Sequence, residues 1–298
     1  MADARQDPGQ GGDPFVALMR RYVVDYTNRR DTSVCAEIME PDYTLRMGPH
    51  EVSGRDEAYI PASLKQFTQF PGLGLTVHEV ISNGERLALR FSEHGASVRH
   101  GGAAAAWTGL GLYRWNGTRL RDNSVEQDYL SRRRQLASGE PATVRPPAVA
   151  PWDTPARAAD PSAEAVVRAW IAEGLPAGGP PGAGSSTVGT SLTWDDGGPG
   201  SERAVLADPA SIVDELFSAG AAVAFRLTCH GRYVGGLGDV TDASAGTPAT
   251  LHMVGLVHVA DGRVVSGHLV RDRLGTARAL STGRARNADT RGPIRRLP

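Results

Sequence analysis

A strand pattern that occurs twice constrains this chain more than any other feature. Residues 83–136 contain NGERLALRFSEHGAS, WTGLGLYRWNG and RLRDNSVEQDYLSRRRQL. The first two alternate like half-buried antiparallel strands, and the third is a polar strand running into a basic helix. The same order returns as AGAAVAFRLTCHGRY, LHMVGLVHVADG and RVVSGHLVRDRLGTARAL. Arg90-Phe91-Ser92-Glu93-His94-Gly95 aligns with Arg226-Leu227-Thr228-Cys229-His230-Gly231, and Asp128-Tyr129-Leu130 with Asp272-Arg273-Leu274. A chain of 298 residues is long for one core and comfortable for two, so the repeat implies one duplicated α+β unit.

Around the repeat the chain divides readily. Residues 1–13 are rich in Gly, Asp and Gln and are expected to be a disordered tail. Asp13-Pro14 starts a helix, with Asp as N-cap and Pro in the first turn; Phe15, Leu18, Met19, Tyr22, Val23 and Tyr26 follow its period. A short helix carries Val34, Cys35, Ile38 and Met39. Tyr43–Met47 reads as a strand, residues 55–70 hold a third helix, and Leu75–Ile81 is a strand closed by the Asn83-Gly84 turn signal. The first unit therefore covers 14–137. Six prolines in 138–161 mark an extended linker. The second unit, 162–280, opens with a helix over Ser162–Glu173 and replaces the short second helix by a Gly/Pro/Ser loop at Gly174–Gly189. Aligning Pro209-Ala210-Ser211-Ile212 with Pro61-Ala62-Ser63-Leu64 leaves the second unit shorter, with the counterpart of the Leu75–Ile81 strand missing. Residues 281–298 are expected to be a disordered basic tail.

Composition narrows the function. With a net charge of −1 and a pI near 6.7 there is no general attraction to nucleic acid or to an anionic membrane. No window reaches the ~20 apolar residues of a spanning helix. The N-terminus lacks the order of a secretory signal, and Cys35 and Cys229 read as separate buried thiols; both features fit a cytoplasmic protein. Lysine imine chemistry would have only Lys65 to use.

With these elements in order, the chain resembles the SnoaL-like branch of the NTF2-like superfamily, closely over 14–137 and loosely over 162–280. The resemblance rests on the opening amphipathic helix, Pro41-Asp42-Tyr43 before the first strand, and Glu93-His94-Gly95 late in a central strand. It also rests on Tyr113-Arg114-Trp115-Asn116-Gly117, Asp128, Leu130 and Gln135-Leu136. It implies two cone-shaped units, each a curved antiparallel sheet wrapped around helices, packed as an internal pseudo-dimer that could pair further as a homodimer. The superfamily holds polyketide cyclases, ketosteroid isomerases, dehydratases, epoxide hydrolases and binding-only members. Ketosteroid isomerases carry a catalytic Asp where this chain has Met47, and an acidic oxyanion donor where it has Gly111 or Gly255. The limonene-type epoxide hydrolase arrangement is also missing. The expected function is thus a cofactor-independent lyase or isomerase of the polyketide-cyclase type on an apolar, carbonyl-bearing molecule. A non-catalytic binding or assembly module and a tandem epoxide hydrolase are the alternatives.

His94 shares a strand face with Arg90 and Ser92, and imidazole titrates near neutrality, making it the expected acid/base. The same face could instead pack sheet against sheet. Asp122 and Glu126 lie in a row with Leu120, Ser124 and Asp128, and such a row must be either solvent-exposed or a polar pocket wall; in a pocket, either carboxylate could take a proton. Asp128 is expected to cap the following helix. In the second copy His230 repeats His94, and His268 falls where the first copy has Ser124; these two are the alternative catalytic residues if that copy is the active one. Tyr26, Tyr43, Trp107 and Tyr113 are the expected pocket walls, with tyrosine hydroxyls to bind a carbonyl. The histidines lack compact ligand spacing, so no metal is expected, and the glycine pairs lack the context of a nucleotide loop.

Overall fold

The computed structural model describes residues 12–174, 191–198, 203–239 and 241–289. It has a mixed α+β architecture built on two sheets with one repeated wiring. In the first unit α1 (Pro14–Arg21) begins with Pro14, and the Asp13 carboxylate accepts from Phe15 N at 2.8 Å, as a capping Asp does. The helix then widens into a π-helical turn, Tyr22–Asn28, which leaves Tyr22, Val23, Tyr26 and Thr27 all buried. After α2 (Cys35–Ile38), β1 (Met39–Met47) turns back on β2 (His50–Ser53), and α3 (Ile60–Gln69) leads to β3 (Gly74–Ser82). β4 (Arg86–Ala96), β5 (Ala104–Trp115) and β6 (Leu120–Gln127) follow, and α4 (Tyr129–Ser138) closes the unit, capped by Asp128, whose carboxylate accepts from Ser131 N. The sheet order is β2-β1-β6-β5-β4-β3, with β1 parallel to β6 and the other pairs antiparallel.

In the second unit α5 (Pro161–Ala172) precedes β7 (Ser191–Trp194), β8 (Leu206–Ala219), β9 (Ala222–Tyr233), β10 (Pro248–Ala260), β11 (Arg263–Arg271) and α6 (Arg273–Asp289). The order β7-β11-β10-β9-β8, with β7 parallel to β11, repeats the first sheet without its β2 edge. Two expectations need correction. β8 pairs with β9 as β3 pairs with β4, so the strand thought missing is present. Among the described residues between β7 and β8 there is neither a β2 hairpin arm nor a helix like α3. The Pro-Ala-Ser match misled because proline starts a helix in one copy and lies within an irregularity of an edge strand in the other. The basic tail is also revised: α6 continues to Asp289. The remaining calls on 1–11, 175–190 and 290–298 fall outside the described residues.

The two sheets pack face to face. Ala88, Leu110 and Leu112 meet Ala224, Val254, Leu256 and Val270 in one buried apolar layer. Around it Arg226 donates to the Gly48 carbonyl at 2.7 Å, Glu79 meets His258 at 2.7 Å, and Arg86 pairs with Glu215. The linker lies on the outer edge of β3, with Ala148 N and Arg157 N donating to the carbonyls of Val77 and Ser82, and so covers an edge that could otherwise pair with another chain. Cys35 and Cys229 are free, buried and in separate units.

On the other face of the first sheet, turned towards its helices, two glycines of β5 keep the cup hollow. A Cβ at Gly109 would meet the Phe91 ring, and one at Gly111 would lie 2.9 Å from the Tyr113 ring. Gly109→Ala is therefore expected to cost about 1–3 kcal/mol through overpacking, measured as a lower urea midpoint with an unchanged slope. A variant as stable as the parent would show that Phe91 has room to move.

Candidate functional site

The hollow between the first sheet and its helices is a cavity of about 230 Å³. Its floor is the helix-facing row of three strands: Phe91 and Glu93 from β4, Tyr113 from β5, and Asn123, Val125 and Gln127 from β6. The π-helical turn contributes Tyr22 and Tyr26. Ala62, Ser63, Gln66 and Phe67 of α3 close the top, where Leu45 and Met47 at the end of β1 form a partly exposed rim. α3 has no buried residue of its own, so it sits as a cover over the space.

One carboxylate lines this cavity. Glu93 is 6% exposed and accepts a hydrogen bond from Gln66 Nε2 at 2.7 Å. Burial pushes its pKa up to about 7, against the opposing pull of Arg132 and of the bonds from Gln66 and Trp107. Arg132 is held over the rings of Tyr129 and Trp107, 4.0 and 5.0 Å from their centroids. No lysine or arginine is among the residues lining the cavity. The tyrosines are joined to one another: Tyr22 and Tyr59 hydroxyls lie 3.0 Å apart, and Tyr26 donates to Ser63 Oγ at 2.7 Å. Burial raises the pKa of Tyr22, Tyr26, Tyr59 and Tyr113, so they are neutral hydroxyls.

The sequence-derived candidates are distributed differently from expectation. Tyr26 and Tyr113 line the cavity. Tyr43 and Trp107 stand behind it, donating to Asn123 Oδ1 at 2.8 Å and Gln127 Oε1 at 2.6 Å. His94, Asp122 and Glu126 do not line it. His94 faces away, half-buried, beside Thr76 Oγ1 at 3.3 Å, and burial lowers its pKa. Asp122 is held by Arg114 at 2.8 Å and Arg46 at 3.6 Å. Glu126 is 1% exposed near the inter-sheet layer and accepts from Gly48 N at 2.8 Å, its pKa raised by burial and by Asp272. The polar row thus takes neither expected place, since Ser124 and Glu126 point towards the second sheet, where Ser124 bonds Glu215. The residue that sequence reasoning missed is Glu93. Its signal was legible: it continues the apolar face Leu87, Leu89, Phe91, and an acid at the end of an apolar stripe is costly unless a cavity or partner receives it.

The second cup has lost these groups. At the equivalent rungs Cys229 replaces Glu93, Val257 replaces Tyr113 and Gly267 replaces Asn123. Arg271 replaces Gln127 and is ion-paired with Asp195 at 2.6 Å. His230 is exposed and bonds Thr250; His268 is half-buried near Arg90, its pKa pushed down to about 4 by burial. Among the described residues no group of three His, Cys, Asp or Glu could hold a metal, and no helix is long and apolar enough to cross a membrane.

Residues 19–123 match the SnoaL-like domain, a branch of the NTF2-like superfamily. Among solved structures, this chain is similar to a candidate SnoaL-like polyketide cyclase from Jannaschia sp. CCS1, with 17% identity, a TM-score of 0.40, and coverage of 45% of this chain and 99% of the other. IdmH, a candidate polyketide cyclase from Streptomyces antibioticus, gives 17% identity and a TM-score of 0.37 over 41% and 96% of the two chains. TsrD from Streptomyces laurentii gives 18% and 0.38 over 45% and 99%. No curated protein matches the chain.

Proposed function

From a SnoaL-like domain over residues 19–123, we propose that the first cavity is an acid–base site of the polyketide-cyclase type for a neutral, carbonyl-bearing small molecule. The observation that carries this reading is Glu93: a carboxyl with a pKa of about 7 on the wall of a cavity lined otherwise by apolar, hydroxyl and carboxamide groups. At neutral pH such a group is present in comparable amounts as base and as acid, so it can remove a proton from carbon and return it elsewhere. In that step the α C–H bond breaks, its proton goes to the Glu93 carboxylate, and the electron pair moves to the carbonyl oxygen. Without a cationic side chain on the wall, an anionic guest would meet a carboxylate and no compensating charge. At about 230 Å³ the space is below the usual range for ligand pockets, which suits a compact molecule or one end of a larger one. The second unit, with Cys229 and Arg271 at the corresponding rungs, serves as a fused packing partner in place of a second copy.

The test is enolisation of a neutral bicyclic ketone, 2-tetralone, in D2O, with loss of its α-proton signals followed by NMR. Wild-type protein is expected to accelerate exchange and Glu93→Gln to return it to the buffer rate. Equal rates with wild type and variant would remove Glu93 from the role.

A further inference from the structure

The proton acceptor of the cavity needs a counterpart that holds the carbonyl oxygen, and the Tyr26 and Tyr43 hydroxyls are already committed. The Ser63 hydroxyl proton goes to the Tyr59 carbonyl at 3.1 Å, so Ser63 Oγ takes the Tyr26 proton. Tyr43 gives its proton to Asn123 Oδ1. Gln127 is different. Its Oε1 lies 2.6 Å from Trp107 Nε1, and an indole nitrogen can only donate. The oxygen end of the carboxamide must therefore face Trp107, which turns the NH2 end away from it. Gln127 lines the cavity, and its Nε2 donates no hydrogen bond among the described residues.

Trp107 itself lies directly across the rung from Glu93, so the residue that holds the Gln127 carboxamide stands beside the proton acceptor. Gly109, across the rung from Gln127, lets the Phe91 ring and the Gln127 side chain pack together over the strand.

We propose that Gln127 is the oxyanion donor of this site: its carboxamide N–H binds the carbonyl oxygen of the molecule whose α-proton Glu93 removes, and Trp107 is the positioning residue that fixes the amide. This rests on the reading of Glu93 given above. As the proton leaves carbon, negative charge collects on the oxygen, and a pre-oriented N–H there stabilises the enolate more than the ketone.

The probe is 4-nitrophenol, whose phenolate is a planar, conjugated oxyanion like an enolate and absorbs in the visible. Binding to the full chain is titrated between pH 6 and 9 and referred to the phenolate concentration. In wild type the phenolate binds beside protonated Glu93, so affinity is expected to fall as pH rises through about 7. Glu93→Gln should flatten that dependence. Gln127→Leu should weaken binding about 10- to 100-fold while keeping the pH dependence; Gln127→Glu adds a second carboxyl to the cavity and should weaken binding most once that group ionises, making the fall with pH steeper. Trp107→Phe, which leaves Gln127 present but free to turn, should lose part of the same affinity. Thermal melts accompany each variant; if the buried glutamate fails to fold, the leucine and Trp107→Phe carry the comparison.

If both Gln127 variants bind within about twofold of wild type while Glu93→Gln flattens the profile, the donor assignment falls and the Glu93 reading stands. If wild type does not bind the phenolate at millimolar concentration, or Glu93→Gln leaves the profile unchanged, the Glu93 reading falls and takes the donor assignment with it.

Discussion

Glu93→Gln is expected to lose chemistry and gain stability in the same molecule. The loss follows from removing the only carboxylate among the residues lining the cavity, and general acid–base residues are worth about 10²–10⁴ in rate. The gain follows from linkage. Burial raises the folded-state pKa of Glu93 from 4.5 to about 7, so the native state is favoured while the group is protonated. That contribution is whole below pH 4.5 and is lost as pH rises through 7. Over such a shift linkage amounts to about 3 kcal/mol of destabilisation at alkaline pH. Glutamine keeps the shape, accepts the Gln66 bond and carries no charge, but it turns an NH2 towards the Trp107 N–H, which offsets part of the gain. Above pH 8 the variant should be about 1–2 kcal/mol more stable than the parent in urea, with no difference near pH 4. A structural carboxylate would behave in the opposite way. A variant less stable at pH 8, with activity per folded molecule unchanged, would show that Glu93 holds the fold and does no chemistry.

Asp195→Asn is the second large effect, and it lies in the other unit. Asp195 is 3% exposed, accepts hydrogen bonds from Arg271 Nη2 at 2.6 Å and from the Arg271 backbone N–H at 3.0 Å, and is ion-paired with Arg273, whose Nε lies 3.0 Å away. Arg273 reaches across to both oxygens of Asp128, the cap of α4 in the first unit, at 2.8 Å. Removing the Asp195 charge takes away the carboxylate that lies between two buried guanidiniums. Breaking such a network from one side costs about 3–5 kcal/mol because the orphaned charge stays desolvated. Asparagine is the informative replacement, since position 195 has φ of 51°, which Asn adopts at less cost than most residues. The expected result is a large fall in the urea midpoint, partly restored in the double variant Asp195→Asn, Arg271→Met. If exchange of the ketone probe per folded molecule survives, the second unit acts through packing alone. A single variant within about 1 kcal/mol of wild type would mean that water or Asp128 supplies the missing charge.

Much of this fold was legible in the chain. The duplicated strand pattern, the helix started at Asp13-Pro14, the cap at Asp128 and the α+β composition all follow from short-range physics: side-chain alternation, local hydrogen bonds and fixed proline geometry. The same local signals also failed in a definable way. Pro-Ala-Ser at 61 and at 209 is one tripeptide in two environments, and only packing decided that the first is helix and the second strand. Likewise, period-two alternation on β4 separates Arg90, Ser92 and His94 from Leu89, Phe91 and Glu93. It carries no mark of which side will meet helices and which will meet another sheet. Once the second unit took the outer face, His94 and Glu126 were turned away from the cavity and Glu93 was left inside it. The sequence by itself determined the repeat, the elements and the two faces of every strand. The tertiary structure alone decided which face encloses the cavity, because that choice depends on desolvating one set of side chains against partners far away in the chain.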